Sequence, residues 1–365
     1  MTIILFLVVL AVLIFVHELG HFLVAKKSGI RVDEFAIGFP PKIFGWTRGE
    51  TKYVLNLIPF GGYVKIFGEN PDDESISGPD SARSFVKAKK WKQISVLLAG
   101  IAFNIIFAWL LISISFMFGS LVPVGEGTDG QYSKYIKDSQ VVLTGVLKDS
   151  PAEKAGLVQG DRLITVENVT NQDLNTTKIR ELIEKSADNQ IDVSYERSGE
   201  IRNIIVEAEM NSAENKKVIG IYMENVGVVK LNPFLALYEG GKLTITTTKE
   251  VAVGLAVFIA QAVRGQGDFT QVSGPVGIVG LVGDAATFGL AYFLGFVAFI
   301  SLNLAVINLI PFPALDGGRV LFAIIEIIIR RPIKPQIANT LNTVGFFILI
   351  SLMLIITYRD VLKFF

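Results

Sequence analysis

His17-Glu18-Leu19-Gly20-His21 sets two imidazoles four residues apart, with a carboxylate directly after the first. On a helix, positions i and i+4 share a face, so both rings can reach one Zn2+ while Glu18 stands beside the open coordination position. Such an ion polarises a carbonyl and brings the pKa of its bound water towards about 7. Glu18 would take that water's proton and pass it to a leaving amine. The chain has 2 histidines and no cysteine. Imidazole chemistry is therefore confined to this pair, and disulfides, iron–sulfur clusters, Cys-ligated zinc and thiol nucleophiles are excluded. A catalytic zinc takes three protein ligands and a water, so the third ligand must be a carboxylate. The best placed is Asp316, in the run Asn308-Leu309-Ile310-Pro311-Phe312-Pro313-Ala314-Leu315-Asp316-Gly317-Gly318. Two prolines break a helix there, and two glycines let the backbone bend close around a ligand. Asp316 also reads as a plain Asp-Gly turn residue. Glu326 is the competing acid, better suited to a helix face.

The elements that position these residues read as membrane spans. Four stretches, 3–25, 94–118, Leu290–Leu309 and about 344–357, approach the roughly 20 apolar residues that cross a hydrocarbon core about 30 Å thick. The first is interrupted only by His17, Glu18 and His21. It lacks the basic lead-in and A-x-A site of a cleaved signal peptide. Lys and Arg crowd residues 26–92, and Arg319, Arg330, Arg331 and Lys334 come after the third span, whereas none precedes the first. The positive-inside rule then puts both basic loops in the cytoplasm, and the N-terminus and the long segment between spans two and three outside. Spans one and three run in the same direction. His17 lies about 24 Å along the first, so it and Asp316 both fall towards the inner face. The stretch 251–263 covers only about 20 Å as a helix and is flanked by Lys249, Glu250 and Arg264. It reads as an interfacial amphipathic helix within a linker over 227–289; a fifth span there would invert every later element.

Composition agrees with a membrane protein. Of 365 residues 51% are hydrophobic and 19% charged, with a mean hydropathy of +0.50. Lys plus Arg (34) equals Asp plus Glu (34), without the basic excess of a nucleic-acid binder. Lys87, Lys89, Lys90 and Lys92 suit anchoring at an anionic inner leaflet. Within the inner loop, 52–60 and 63–67 alternate like strands about Gly61-Gly62, which predicts a membrane-associated β-hairpin over about 52–67. A membrane helix cannot be cut while its carbonyls are hydrogen-bonded, and the free edge of such a hairpin could pair with an unwound substrate. Gly61, Gly62, Tyr63 and Val64, with Pro311 and Pro313, are the candidate substrate-binding residues.

The outside segment, 128–226, is hydrophilic. A strand over 141–147 precedes Ser150-Pro151-Ala152-Glu153-Lys154-Ala155-Gly156 and Gly160-Asp161-Arg162-Leu163. A helix over 176–186, capped by Asn175 or Thr176, and strands over 191–197 and 201–209 about Ser198-Gly199 complete it. The pattern looks like one PDZ domain, a fold that takes extended peptide tails by strand addition. Standing over the outer mouth of the bundle, it would also exclude proteins with large outside domains.

Taken together, HELGH at 17–21, IPFGGYVKIFGE at 58–69, Ala99-Gly100 to Asn104, SGPVGI at 273–278 and NLIPFPALDGG at 308–318 resemble the site-2 protease family, the bacterial intramembrane metalloproteases of the sigma-E-regulating type. Ile101 departs from the proline frequent there. The resemblance implies an α-helical polytopic protein of about four transmembrane helices in the bacterial inner membrane. Its parts would be an N-terminal membrane domain (1–127), a PDZ-like α/β domain (128–226), the linker (227–289) and a C-terminal membrane domain (290–365). His17, His21 and Asp316 would bind Zn2+, Glu18 would be the catalytic base, and Asn308 would hold substrate or the developing oxyanion. Substrates would be single-span membrane proteins such as anti-sigma factors, or remnant signal peptides. A zinc-binding transporter and a silent scaffold are the competing classes. The first usually carries internal repeats, which this chain lacks; the second has no use for Glu18.

Overall fold

The computed structural model describes residues 1–70, 72–124, 133–170, 173–186, 189–197, 199–211, 216–266 and 273–362. Ser198 of the expected 198–199 turn and residues 128–132 of the outside segment lie outside the described residues. In chain order the helices are α1 (Thr2–Lys27), α2 (Asp73–Ser77), α3 (Lys90–Phe118), α4 (Pro151–Lys154), α5 (Thr176–Lys185), α6 (Pro233–Val263), α7 (Pro275–Thr287), α8 (Leu290–Leu309), α9 (Asp316–Ile329) and α10 (Pro335–Leu362). They fall into two compact units, one of Met1–Ile112, Glu239–Gly283 and Phe296–Phe365, the other of Ser113–Tyr238 and Asp284–Gly295.

Among the described residues, α1, α3, α6, α8 and α10 are long and apolar enough to cross a membrane. This corrects the short interfacial helix expected at 251–263, which is the second half of the 31-residue α6. The threonines that mask its first half fit a helix because their hydroxyls bond one turn back, Thr244 Oγ1 to Gly240 O at 2.7 Å and Thr248 Oγ1 to Thr244 O at 2.6 Å. The added helix does not reverse the direction of α8. Asn104 O accepts from Ser301 Oγ at 2.9 Å and Ala291 O from Ser115 Oγ at 2.7 Å, so α8 runs antiparallel to α3. His17 meets Asn104 while His21 meets Val96, so α1 is also antiparallel to α3. α1 and α8 therefore run the same way, as two helices must that bring His17 and Asp316 to one level.

The inner loop forms β1 (Val32–Arg48) and β2 (Thr51–Ile66), joined at Gly49-Glu50. The expected hairpin about Gly61-Gly62 is corrected here. Its two arms do not pair with each other, because residues 34–37 of β1 lie between them. Glu34, Phe35, Ala36 and Ile37 meet Lys65, Val64, Tyr63 and Gly62 on one side and Lys52, Tyr53, Val54 and Leu55 on the other. Gly61, at φ +124°, is a crossover between the arms. The long-range pairing wins because it buries Val32, Phe35, Val64 and Ile66 against Ala25 of α1 and Val96 of α3, which a local hairpin would leave in contact with one another only. Among the described residues, 62–66 has no strand partner on its other side. At the far end Phe39, Ile43, Phe44, Leu57 and Ile58 are exposed.

The second unit is built on one sheet of β3 (Ser120–Pro123), β4 (Ile136–Val146), β5 (Arg162–Val166), β6 (Val169–Thr170), β7 (Gln190–Arg197), β8 (Glu200–Glu207) and β11 (Ile221–Val229), in the order β3-β11-β4-β5-β7-β8 with β6 on β5. Two short strands, β9 (Glu209–Asn211) and β10 (Lys216–Val218), pair separately. Leu143, Leu157, Leu163, Ile179, Ile191 and Val206 form its core. Asn175 caps α5 by accepting Lys178 N–H at 2.8 Å. Asp161 of the Gly-Asp pair is fully buried, and Arg197 meets both its oxygens at 2.6 and 2.7 Å. The sheet runs past 128–226 at both ends, through β3 and the last residues of β11.

Candidate metal centre

α1 carries His17 and His21 on its buried stripe with Leu13, Gly20 and Ala25. Their Nε2 atoms are 3.2 Å apart, and Asp316 Oδ2 lies 3.0 Å from the first and 3.3 Å from the second. Tetrahedral zinc with ligands at about 2.0–2.1 Å spaces its donors about 3.3 Å apart, so the three atoms fit one such ion. Asp316 Oδ2 is buried and has no hydrogen bond of its own, as expected of an oxygen whose partner is a metal. Two imidazoles and a carboxylate are also the donor set of a catalytic site that keeps a fourth position open. Among the described residues this is the one group of three His, Asp or Glu side chains close enough to share an ion.

The loop between α8 and α9 delivers the carboxylate. Asp316 is the first residue of α9. Ala314 just before it takes φ +75°, a conformation that non-glycine residues rarely adopt. The next two glycines are required by close approach: a Cβ on Gly317 would sit 2.3 Å from Leu309 O, and one on Gly318 2.2 Å from Phe312 O. α9 is then tied down along its length. Arg319 pairs with Glu69, and Glu326, expected as a helix-face residue, is half-buried against Lys90 of α3 at 2.5 Å.

A cavity of about 250 Å³ opens on the three donors, lined by His17, Glu18, His21, Tyr63, Val64, Ile66, Glu69, Leu97, Asp316 and Arg319. Glu18 and the unpartnered side of 62–66 thus face the same space, and a Cβ on Gly62 would lie 3.5 Å from Glu18 Cγ. Gly61 packs against the Phe39 ring. Asn308 is half-buried at the end of α8, Pro311 is exposed and Pro313 backs on Gly345; none of the three lines the cavity. Sequence reasoning missed Arg319, Glu69 and Asn104. Asn104 is fully buried with its amide 3.2 Å from His17 Nδ1. The signal for it was a polar residue in the uncharged stretch 94–118, four positions after Gly100. Gly100 itself makes room, since a Cβ there would lie 2.4 Å from His21 Nε2.

Comparison with known proteins points the same way. A family model described as peptidase family M50 matches residues 5–352. A protein of Clostridium perfringens named "putative zinc metalloprotease" is 34% identical over 363 residues, 99% of each chain. The regulator of sigma-W protease RasP of Bacillus subtilis is 28% identical over 441 aligned positions, covering 100% of this chain and 99% of its own. The zinc metalloprotease RasP of Geobacillus kaustophilus is 28% identical over 425, covering 100% and 98%.

Proposed function

The chain belongs to peptidase family M50 and is a zinc metalloprotease with several membrane-type helices, and from that premise we propose that it cleaves membrane-embedded segments of single-span proteins. The observation that carries this is the meeting of His17, His21 and Asp316 within an apolar helix bundle, beside a strand whose outer edge is unpartnered. His17, His21 and Asp316 would hold the zinc, which when bound polarises the scissile carbonyl and acidifies a water. Glu18, beside them in the cavity, takes the proton and returns it to the amine nitrogen as the C–N bond breaks. Residues 62–66 hold the substrate extended, their outward backbone groups, with the Val64 N–H released from Glu18, replacing the helical hydrogen bonds that it gives up on unwinding. Tyr63 and Val64 form the wall beside the reacting bond. Asn308, Pro311 and Pro313 keep a substrate-binding role only on the approach to the cavity.

The same reading sets the protein in a bacterial cell membrane with the N-terminus and the second unit outside and the metal centre towards the cytoplasm, on the basic residues of 26–92 and 330–334. α1, α3, α8 and α10 are then the crossing helices, and α6, though long enough to cross, does not, because α8 runs antiparallel to α3. One relative is named as a regulator of sigma-W protease. Anti-sigma-type single-span proteins, and signal peptides left in the membrane, are accordingly the substrate class. The second unit is read as PDZ-like. β3 covers Val226–Val229 of β11 and Val124 N–H reaches Asn225 O at 2.8 Å, which among the described residues leaves the edge at 221–224 for an extended tail beside α5.

Purified protein incubated with a model transmembrane substrate tests the proposal. Glu18→Gln should abolish cutting while zinc stays bound. Undiminished cutting by Glu18→Gln removes the proton role, and a native chain that cuts only soluble peptides removes the intramembrane substrate.

A further inference from the structure

The two imidazoles differ in what holds their second ring nitrogen. His21 Nδ1 lies 2.8 Å from Val96 O, which can only accept, so this ring carries its proton on Nδ1 and keeps a lone pair on Nε2. His17 Nδ1 faces the Asn104 side-chain amide at 3.2 Å. That amide is fully buried, and its Oδ1 has no hydrogen-bond partner. Turning the amide end for end brings Oδ1 to Nδ1. The orphaned oxygen gains an N–H, and the His17 lone pair moves to Nε2, the atom 3.0 Å from Asp316 Oδ2. Val96, Gly100 and Asn104 recur every four residues, so one face of α3 supplies a carbonyl, the room for both rings and an amide. Ser301 Oγ of α8, itself fully buried, holds the backbone of Asn104 by donating to its carbonyl at 2.9 Å.

From this geometry we infer that Asn104 is a positioning residue, whose amide oxygen fixes His17 in the tautomer that offers Nε2 to the metal. The inference rests on the metal centre proposed above. It concerns the hold on zinc and not the proton transfer, in which Asn104 takes no part.

Zinc affinity of the full chain in detergent, measured by competition with a chromophoric chelator, reads it directly. Asn104→Leu removes the acceptor at similar volume and should weaken zinc about 10–100-fold. Asn104→Asp keeps an acceptor and should stay within a few-fold of the native chain. Melting of the metal-free proteins separates a weakened site from a damaged fold. A folded Leu variant that holds zinc as tightly as the native chain overturns the inference, and so does a folded Asp variant as weak as the Leu one. The unaltered protein supplies a second measurement, because 15N-histidine labelling reports only two rings. Loaded with zinc, both should carry the proton on Nδ1; a His17 ring protonated on Nε2 overturns the assignment. A native chain that takes up no zinc overturns the metal centre along with it, whereas native binding with an unaffected Leu variant overturns only the role of Asn104.

Discussion

Lys90 Nζ at the start of α3 lies 2.5 Å from Glu326 Oε2 of α9, and the other oxygen of Glu326 accepts Ile333 N–H at 2.8 Å. With Arg319–Glu69 one turn after Asp316, this pair braces the helix whose first residue is the carboxylate of the metal centre. A half-buried pair loses more when one partner is removed than when both are, because the remaining charge is left uncompensated. Lys90→Met should therefore lower the melting temperature and weaken zinc, and adding Glu326→Leu should recover part of both. A double variant no better than the simple sum of the singles would show that the two residues do not act together.

Removing the metal should cost stability as well as activity. Three donors from α1 and α9 meet at one point, and an ion bound only by the folded chain stabilises it by RT ln(1 + [Zn]/Kd), about 2.7 kcal/mol when zinc is at 100 times Kd. Chelation should lower the melting temperature of the native chain and leave that of Asp316→Ala unchanged. Equal shifts in the two proteins would place the zinc elsewhere.

A pH effect is expected at the β1–β2 turn. Glu50 is held down to about 2 by hydrogen bonds from Arg83 and Lys26, which tie the turn to the end of α1 and to the loop before α3. The folded chain holds this carboxylate below its ordinary value of 4.5. Its stabilisation is therefore complete above about 4.5 and is lost as pH falls through about 2, below which the unfolded and folded forms are both protonated. Glu50→Gln should melt below the native chain at pH 7, with the gap narrowing as pH drops from 5 to 3. A gap that stays constant across that range would mean that the charge on Glu50 does no work there.

How much of the fold and site was legible beforehand depends on the range of the interactions. α1 and α8 could be read because an apolar run of 20 or more residues is a local property, and α8 coincides with the expected 290–309. His17, His21 and Asp316 could be singled out because two histidines and no cysteine leave a carboxylate as the third donor. The pairing of 34–37 with both arms of β2 could not, since two prolines at 40 and 41 disguise β1 and local pairing across Gly61-Gly62 satisfies the same alternation. α6 was cut short because its threonines read as polar until their hydroxyls fold back on the helix. Arg319 and Glu69 were invisible for a similar reason: each looks like an ordinary loop or helix-start charge, and only the fold closes them over the cavity.

The edge strand yields the most direct test of how substrate is held. Val64 pairs with Phe35 on one side, its backbone N–H is turned towards the Glu18 carboxylate, and its side chain packs in the core beside Val32 and Ile66. Proline there removes one N–H from the side that a substrate strand would meet and keeps an apolar side chain in the core. Val54 sits in the inner arm, between Ala36 and Gly45, where both edges are already paired. Val64→Pro should cut kcat/KM for a transmembrane substrate by tenfold or more, about 1.4 kcal/mol for one lost hydrogen bond to the extended chain, with zinc content unchanged. Val54→Pro should instead lower the melting temperature, because it breaks a ladder inside the sheet. If Val64→Pro turns over substrate at the native rate, the unwound helix is not held by residues 62–66, and the extended conformation must be imposed by another wall of the cavity.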